Sequence, residues 1–269
     1  MIISENILFK RIKAAIEDLE KEFTVEVDTS KVDAEKVFYS FFDKTGSSYP
    51  NITHMKFSKH WVKGSKTATY TFFFDYRIGK VKLAMMDIDV EKKIEELKNQ
   101  MFLKDMPPEA KIYLAHNYLC MTVKYNKNWE NNLNMSYSQS AYGALIKREC
   151  TCSGFTEAFQ KLMNAGGVKC FSVSGDVIDE GAHAWNIIGL GKIDSYHHID
   201  VTWDAGYEKP RYEHFCKPDR FYETKRTWEK SVFPKCSGRF AIRTVARMYI
   251  KSHLDELLNN GVPREMLDI

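Results

Sequence analysis

One segment in the second half of the chain constrains its fold most strongly. Apolar residues spaced by three and four predict a helix from Ser153 to Ala165, and Gly166-Gly167 ends it. Three runs typical of strands follow: Val168 to Ile178, His183 to Leu190, and Tyr196 to Trp203. Most other helical patterns precede these strands instead of alternating with them. We therefore predict the α+β fold class.

Patterns elsewhere predict more helices and a hairpin. A strand rich in Thr, Tyr and Phe runs from Ser65 to Ile78 and is predicted to turn at Gly79 into a second strand, Val81 to Met86. Pro107-Pro108 is typical of the start of a helix. Residues 126–148 are polar and rich in Asn and Ser, so we predict a long surface loop there.

These patterns divide the chain into three regions. Residues 1–103 are predicted to form an accessory region of helices and strands, residues 104–237 a core with the cysteine helix and the sheet, and residues 238–269 a helical tail. No internal repeat or low-complexity stretch is present, which argues against a solenoid.

Composition narrows the class of protein. The chain has 269 residues and is 44% apolar, which is typical of a globular protein and excludes full disorder. The net charge is +3 and no block of five like charges occurs, so we expect no nucleic-acid partner.

No apolar run is long enough to cross a membrane, and the first residues do not resemble a signal peptide. We expect a cytoplasmic protein, or a secreted one if a leader has been removed.

The predicted helix begins next to a cysteine that has the surroundings of a nucleophile. Cys152 would lie at the helix N-terminus, where free N–H groups and the helix dipole favour a thiolate. Gly154 has no side chain, so another segment can approach the sulfur. His183 lies 31 residues further on and could accept the thiol proton, and Asp200 lies another 17 residues on and could orient the imidazole.

Three motifs around these residues resemble those of the transglutaminase-like superfamily. The chain reads C-S-G-F from Cys152, H-A-W-N from His183 and D-V-T-W-D from Asp200, in the order of the family. The resemblance extends over about residues 107–237 and is closest to bacterial members with an additional N-terminal region. It implies a papain-like core, with the nucleophile helix packed on an antiparallel sheet, an N-terminal α/β accessory region, and a catalytic triad of Cys152, His183 and Asp200.

The resemblance also implies a type of reaction. The thiolate would attack a peptide bond or a glutamine-type amide of a protein or peptide substrate and form a thioester. Water as the acceptor gives a cysteine protease or amidase and an amine gives a transglutaminase; we favour hydrolysis. The alternative is a non-catalytic module that binds a peptide or a glycan on the same fold.

Metal and cofactor binding are not expected. Cys150, Cys152, His183, His197 and His198 could be considered as zinc ligands, but two cysteines separated by one residue are cramped for zinc. No calcium-loop pattern occurs, so the calcium dependence of animal transglutaminases is not transferred to this chain. Cys150 is expected to be an inert neighbour, although it could also be reactive or trap an oxidised Cys152 as a disulfide.

Other residues near the motifs receive structural roles. Trp185 and Trp203 are predicted to be core residues of the sheet, and Asn186 to connect strands. His198 is expected to be a partly buried structural histidine, and Asp204 is not expected to orient the imidazole.

The superfamily stabilises an oxyanion with a backbone N–H group and an upstream side chain. Tyr142 and Gln139 are the candidates in this sequence for that side chain.

Overall fold

The computed structural model describes residues 3–45, 51–128, 135–191, 195–238 and 241–268. The chain forms two compact units, Met1–Ala84 and Met85–Ile269. The division falls inside a helix, Lys80–Met101, and so lies earlier than the boundary after residue 103 that the sequence suggests.

The described residues of the first unit form two helices, one antiparallel sheet and the start of a further helix. Its elements are α1 (Glu5–Glu17), β1 (Glu22–Asp28), α2 (Ala34–Thr45), β2 (Ile52–Trp61) and β3 (Thr67–Tyr76). The strand order is β1-β3-β2, so β3 lies in the centre. Alternate residues of β3, including Tyr70, Phe72 and Phe74, are buried in one core with Leu8 and Ile12 of α1.

The predicted hairpin after β3 is wrong, because the chain forms α3 (Lys80–Met101) there. Lys82, Leu83, Ala84, Met85 and Met86 all have high helix propensity, and Val81 alone is β-branched in the segment. Helical spacing then continues to the end of α3, whose inner side is buried. Alternation over a few apolar residues is therefore outweighed by a long stretch of good helix formers.

The second unit contains the segment with the three motifs. After α3 come α4 (Pro108–Thr122), β4 (Lys124–Tyr125), α5 (Met135–Ser138), a π-helical turn (Gly143–Lys147), β5 (Glu149–Cys150), α6 (Cys152–Ala165), β6 (Lys169–Val177), β7 (Gly181–Gly189), β8 (Tyr196–Ile199), α7 (Val201–Asp204), α8 (Asp219–Tyr222), β9 (Arg226–Trp228), a 3-10 turn (Lys230–Val232), α9 (Ile242–Ser252), α10 (Leu254–Asn259) and α11 (Arg264–Leu267). The segment predicted as a long loop thus contains short elements, while its residues 129–134 lie outside the described part.

An antiparallel sheet and two helices position the motif residues. The sheet has the order β8-β7-β6-β9, and α6 packs on β6 and β7. Phe155 and Phe159 of α6 share a buried core with Ile188 of β7 and Ile199 of β8. The long helix α4 is buried over most of its length and contacts α6, α7 and α9. The mixed fold predicted from the sequence is confirmed, with an antiparallel sheet against the cysteine helix.

The strand predicted from Tyr196 to Trp203 is wrong in its second half. The strand ends at Ile199, and the single helical turn α7 follows. Asp200 causes this change because its carboxylate accepts the backbone N–H of Trp203 and caps the turn. Asp200 therefore lies just beyond the end of β8.

Candidate active site

Cys152 is the first residue of α6, and its side chain is partly exposed. The preceding Thr151 has an extended backbone but does not cap the helix with its side chain, since its hydroxyl donates to the carbonyl oxygen of Ser138 at 3.3 Å. The N–H groups of the first turn are therefore left near the sulfur, where they favour a negative charge.

Gly154 allows the end of α5 and the residues that follow it to pack closely against the start of α6. A Cβ atom at this position would lie 2.5 Å from Cβ of Cys150 and 2.9 Å from the carbonyl oxygens of Ser138 and Ser140. No side chain fits at such distances, so a substitution here would push these segments away from Cys152.

His183 joins the cysteine to the aspartate. Its Nε2 lies 2.8 Å from Oδ2 of Asp200, whose side chain is fully buried. The side chain of His183 is also near the sulfur of Cys152, and because Nε2 faces Asp200, Nδ1 is the nitrogen available to the sulfur. The backbone N–H of Ala184 is near the sulfur as well. The structure thus brings His183 and Asp200 into hydrogen-bond contact, with the thiol of Cys152 beside the imidazole.

The surroundings favour charged forms of all three groups. Burial raises the pKa of the Cys152 thiol, but the hydrogen bond and the positive charge of His183 outweigh burial and lower that pKa overall. Burial likewise opposes the charge on His183, whereas Asp200 and then Cys152 raise the pKa of His183 to about 10. Burial also disfavours charge on Asp200, yet His183 and Arg226 hold its pKa below the usual value. The geometry therefore supports a thiolate–imidazolium pair.

Arg226 was not predicted and is the second partner of Asp200. Its Nη2 lies 2.7 Å from Oδ2 of Asp200, and both side chains are almost completely buried. The guanidinium packs on the rings of Trp203, at 4.1 Å, and Tyr222, at 4.4 Å. A buried carboxylate needs such partners to remain charged, and here it has both an imidazole and a guanidinium.

Cys150 is fully buried, in contrast to Cys152. Burial and then the charge of Cys152 raise the pKa of the Cys150 thiol well above its usual value. A buried thiol with a raised pKa is a poor nucleophile. These observations favour Cys152 as the reactive residue and Cys150 as a packing residue.

Asp204 belongs to a different pair. Its Oδ2 lies 3.1 Å from Nε2 of His116 on α4, and its Oδ1 accepts the backbone N–H of His214 at 3.0 Å. Both members of the His116–Asp204 pair are fully buried. Asp204 therefore attaches the end of α7 to α4, while Asp200 at the start of α7 faces His183.

His198 is fully buried and lies in the sheet. Trp185 donates from Nε1 to Nδ1 of His198 at 2.9 Å, so the imidazole proton lies on Nε2, which is 2.9 Å from Oδ1 of Asp219. Burial lowers the pKa of His198 to about 4, against the opposing effect of Asp219, and keeps the ring neutral.

Among the described residues, one group of side chains could hold a metal ion: His198, Asp219 and Cys236. The hydrogen bond from Trp185 argues against this site. With Nδ1 accepting that bond, Nε2 could coordinate a metal only after losing its own proton, which would require an imidazolate. The five candidate zinc ligands from the sequence do not form such a group within the described residues.

The remaining predicted residues divide between core and site. Trp185 is buried in the sheet, and Asn186 donates to the carbonyl oxygens of Thr156 and Phe171 and so connects β7 to α6 and β6. Trp203 is only partly buried, and its ring centroid lies 5.8 Å from that of His183. The prediction of Trp203 as a core residue of the sheet is therefore wrong.

A cleft of about 320 Å³ opens beside His183. It is lined by Tyr125, Val177, Glu180, Gly181, Ala182, His183, Thr202 and Trp203. Burial and then the charges of Cys152 and Cys150 raise the pKa of Tyr125, which places its hydroxyl within electrostatic reach of the sulfur. Neither Tyr142 nor Gln139 is among the described residues that line this cleft. Tyr125 is therefore a better candidate than either for the side chain that would stabilise an oxyanion.

The sequence carries only weak signals for the two missed residues. Tyr125 belongs to a two-residue strand that pairs with Cys150, too short for any periodicity. Arg226 belongs to a three-residue strand and meets Asp200 only because β9 pairs with β6.

The sequence pattern of the transglutaminase-like superfamily matches residues 95–225. This segment, just under half of the chain, is similar to that superfamily. The matched segment includes all three motifs and ends one residue before Arg226. A comparison with curated proteins found no match.

Two solved structures are distantly similar to this chain. One is a TGase with 15% identity and a TM-score of 0.38; the match covers 72% of this chain and 55% of the TGase. The other is a candidate cysteine protease from Cytophaga hutchinsonii with 10% identity and a TM-score of 0.34, covering 68% of this chain and 67% of that one. Within the described residues, no helix is both long and apolar enough to cross a membrane.

Proposed function

We propose that this chain is a cysteine-dependent enzyme that transfers the acyl group of a peptide or glutamine-type amide to water. The observation that carries the proposal is the juxtaposition of Cys152, His183 and Asp200: the sulfur lies at a helix N-terminus beside His183, whose Nε2 is hydrogen-bonded to Asp200 at 2.8 Å. A thiol, a base and a group that orients the base are the parts that nucleophilic amide cleavage needs.

The first half of the proposed reaction forms a thioester. The Cys152 thiolate attacks the carbonyl carbon, so that a carbon–sulfur bond forms and the carbonyl electron pair moves to oxygen. When that pair returns, the carbon–nitrogen bond breaks, and the Nδ1 proton of His183 goes to the leaving amine. Asp200 holds the ring and stabilises the imidazolium from the Nε2 side.

The second half releases the acid. Neutral His183 takes a proton from water as the water oxygen bonds to the thioester carbon, and the carbon–sulfur bond breaks to restore the thiolate. Glu180, Gly181 and Ala182 in the lining of the cleft are exposed, so water has access to the thioester. This access supports hydrolysis as the proposed outcome.

Two donors are proposed for the oxyanion. The backbone N–H of Cys152 lies in the first turn of α6, where no side chain caps the helix. The hydroxyl of Tyr125 lines the same cleft, and its raised pKa, due to burial and to Cys152, keeps it protonated and able to donate.

Incubation with a mixture of protein-derived peptides, with and without a primary-amine probe, tests the proposal. Mass spectrometry distinguishes new peptide termini, conversion of Gln to Glu, and attachment of the probe. We expect hydrolysed products that are absent with Cys152→Ala. Peptide binding by calorimetry without any covalent product would contradict the proposal and favour the binding module.

A further inference from the structure

The cleft beside His183 carries an excess of negative charge. The thiolate of Cys152 and the imidazolium of His183 compensate each other, as do Asp200 and Arg226. Glu180 then remains as an uncompensated formal charge of −1 in the described lining of the cleft. The whole chain has a net charge of +3, so this negative charge is a local property of the cleft.

The carboxylate of Glu180 is free to bind a ligand. The residue is exposed in the turn between β6 and β7, and among the described residues its side chain has no ion pair or hydrogen bond. The turn itself is held in place, because the backbone N–H of Glu180 donates to the carbonyl oxygen of Val177 at 3.1 Å and Gly181 adopts a φ of 86°. The carboxylate is thus presented from a fixed backbone.

Two aromatic side chains complete the surroundings of Glu180. Trp203 and Tyr125 line the same cleft and both are partly exposed. Aromatic rings bind the alkyl stem of Lys or the planar guanidinium of Arg, while a carboxylate binds the charged end. An anionic side chain would be repelled by Glu180, and a small apolar one would leave it without a partner.

From this juxtaposition we infer that Glu180, Tyr125 and Trp203 form a subsite for a Lys or Arg side chain of the substrate, next to the amide that reacts. The inference rests on the proposed function, since it specifies the substrate of the same site. It assigns substrate preference to Glu180 and leaves the chemical step to the other residues.

Charged thiol reagents test the subsite without any substrate. Methanethiosulfonates with a trimethylammonium, a methyl or a sulfonate end modify Cys152 at rates that are measured by mass spectrometry. We expect the cationic reagent to react faster than the anionic one. Glu180→Gln should reduce the ratio of the two rates by about 3- to 10-fold, and added salt should reduce it as well. The control Glu256→Gln changes the net charge equally on α10, outside the cleft lining, and should leave the ratio unchanged.

An unchanged ratio in Glu180→Gln, or an equal change in Glu256→Gln, would overturn the subsite. The neutral reagent separates this result from a failure of the proposed function, because its rate reports the reactivity of the thiol alone. With peptides that differ at one position, we expect kcat/KM to be higher for Lys and Arg than for Gln or Glu. Glu180→Lys should invert that order, and an order that stays the same would also contradict the inference.

Discussion

Cys152→Ala is expected to reduce amide hydrolysis by a factor on the order of 10⁴ or more, because the variant lacks the sulfur that forms the thioester. The side chain is small and partly exposed, so the fold should remain intact. Activity on one peptide substrate and the melting temperature are measured together.

Cys150→Ser is the matched control. Cys150 lies two residues earlier, is fully buried and has a raised pKa owing to burial. The variant should retain a substantial fraction of the activity and lose some stability, because a hydroxyl replaces a buried thiol. The opposite behaviour of the two variants would show that the nucleophile is Cys150.

Asp200→Asn is expected to lower kcat by about 10²- to 10⁴-fold. The amide keeps the shape of the side chain but removes the charge that stabilises the imidazolium of His183. It also leaves the buried guanidinium of Arg226 without its counter-charge, so stability should decrease by about 3–5 kcal/mol. The rate must therefore be measured per folded molecule, with the folded fraction determined by denaturation.

Two further variants separate the effects on rate and stability. Asp200→Asn combined with Arg226→Met should recover part of the stability, since no buried charge remains unpaired, but should not recover the rate. Asp204→Asn breaks the buried pair with His116 and should destabilise the protein while the folded fraction keeps most of its activity. Equal losses of kcat in Asp200→Asn and Asp204→Asn would contradict the assignment of Asp200.

The sequence predicts the parts of the site that depend on local patterns. Helical spacing predicts a helix from Ser153 to Ala165, and α6 runs from Cys152 to Ala165. The predicted strands Val168 to Ile178 and His183 to Leu190 agree with β6 and β7 to within two residues at each end. The three motifs then indicate which side chains should meet; His183 and Asp200 are hydrogen-bonded at 2.8 Å, and the catalytic roles of Cys152, His183 and Asp200 stay a prediction.

The features of the site that the sequence does not predict depend on contacts between residues that are far apart along the chain or on side-chain hydrogen bonds. Arg226 is 26 residues from Asp200 along the chain and reaches it from β9, on the opposite side of the sheet order from β8. Asp200 ends β8 because its side chain caps α7, an effect that apolar alternation does not reveal. The error at α3 has a different cause, since there helix propensity outweighs a short alternating pattern.

The pH dependence of Cys152 alkylation tests the central claim of an activated thiolate most directly. Iodoacetamide is applied to the intact protein from about pH 5 to pH 9, and the modified cysteine is identified by peptide mass spectrometry. The lowered pKa of Cys152 predicts selective alkylation that persists below the usual thiol pKa of about 8.5 and decreases only as the pH falls through the lowered value. His183→Ala should move that decrease to higher pH, because the hydrogen bond and the positive charge are lost. Alkylation of Cys152 with the pH dependence of an ordinary thiol, unchanged by His183→Ala, would contradict the account.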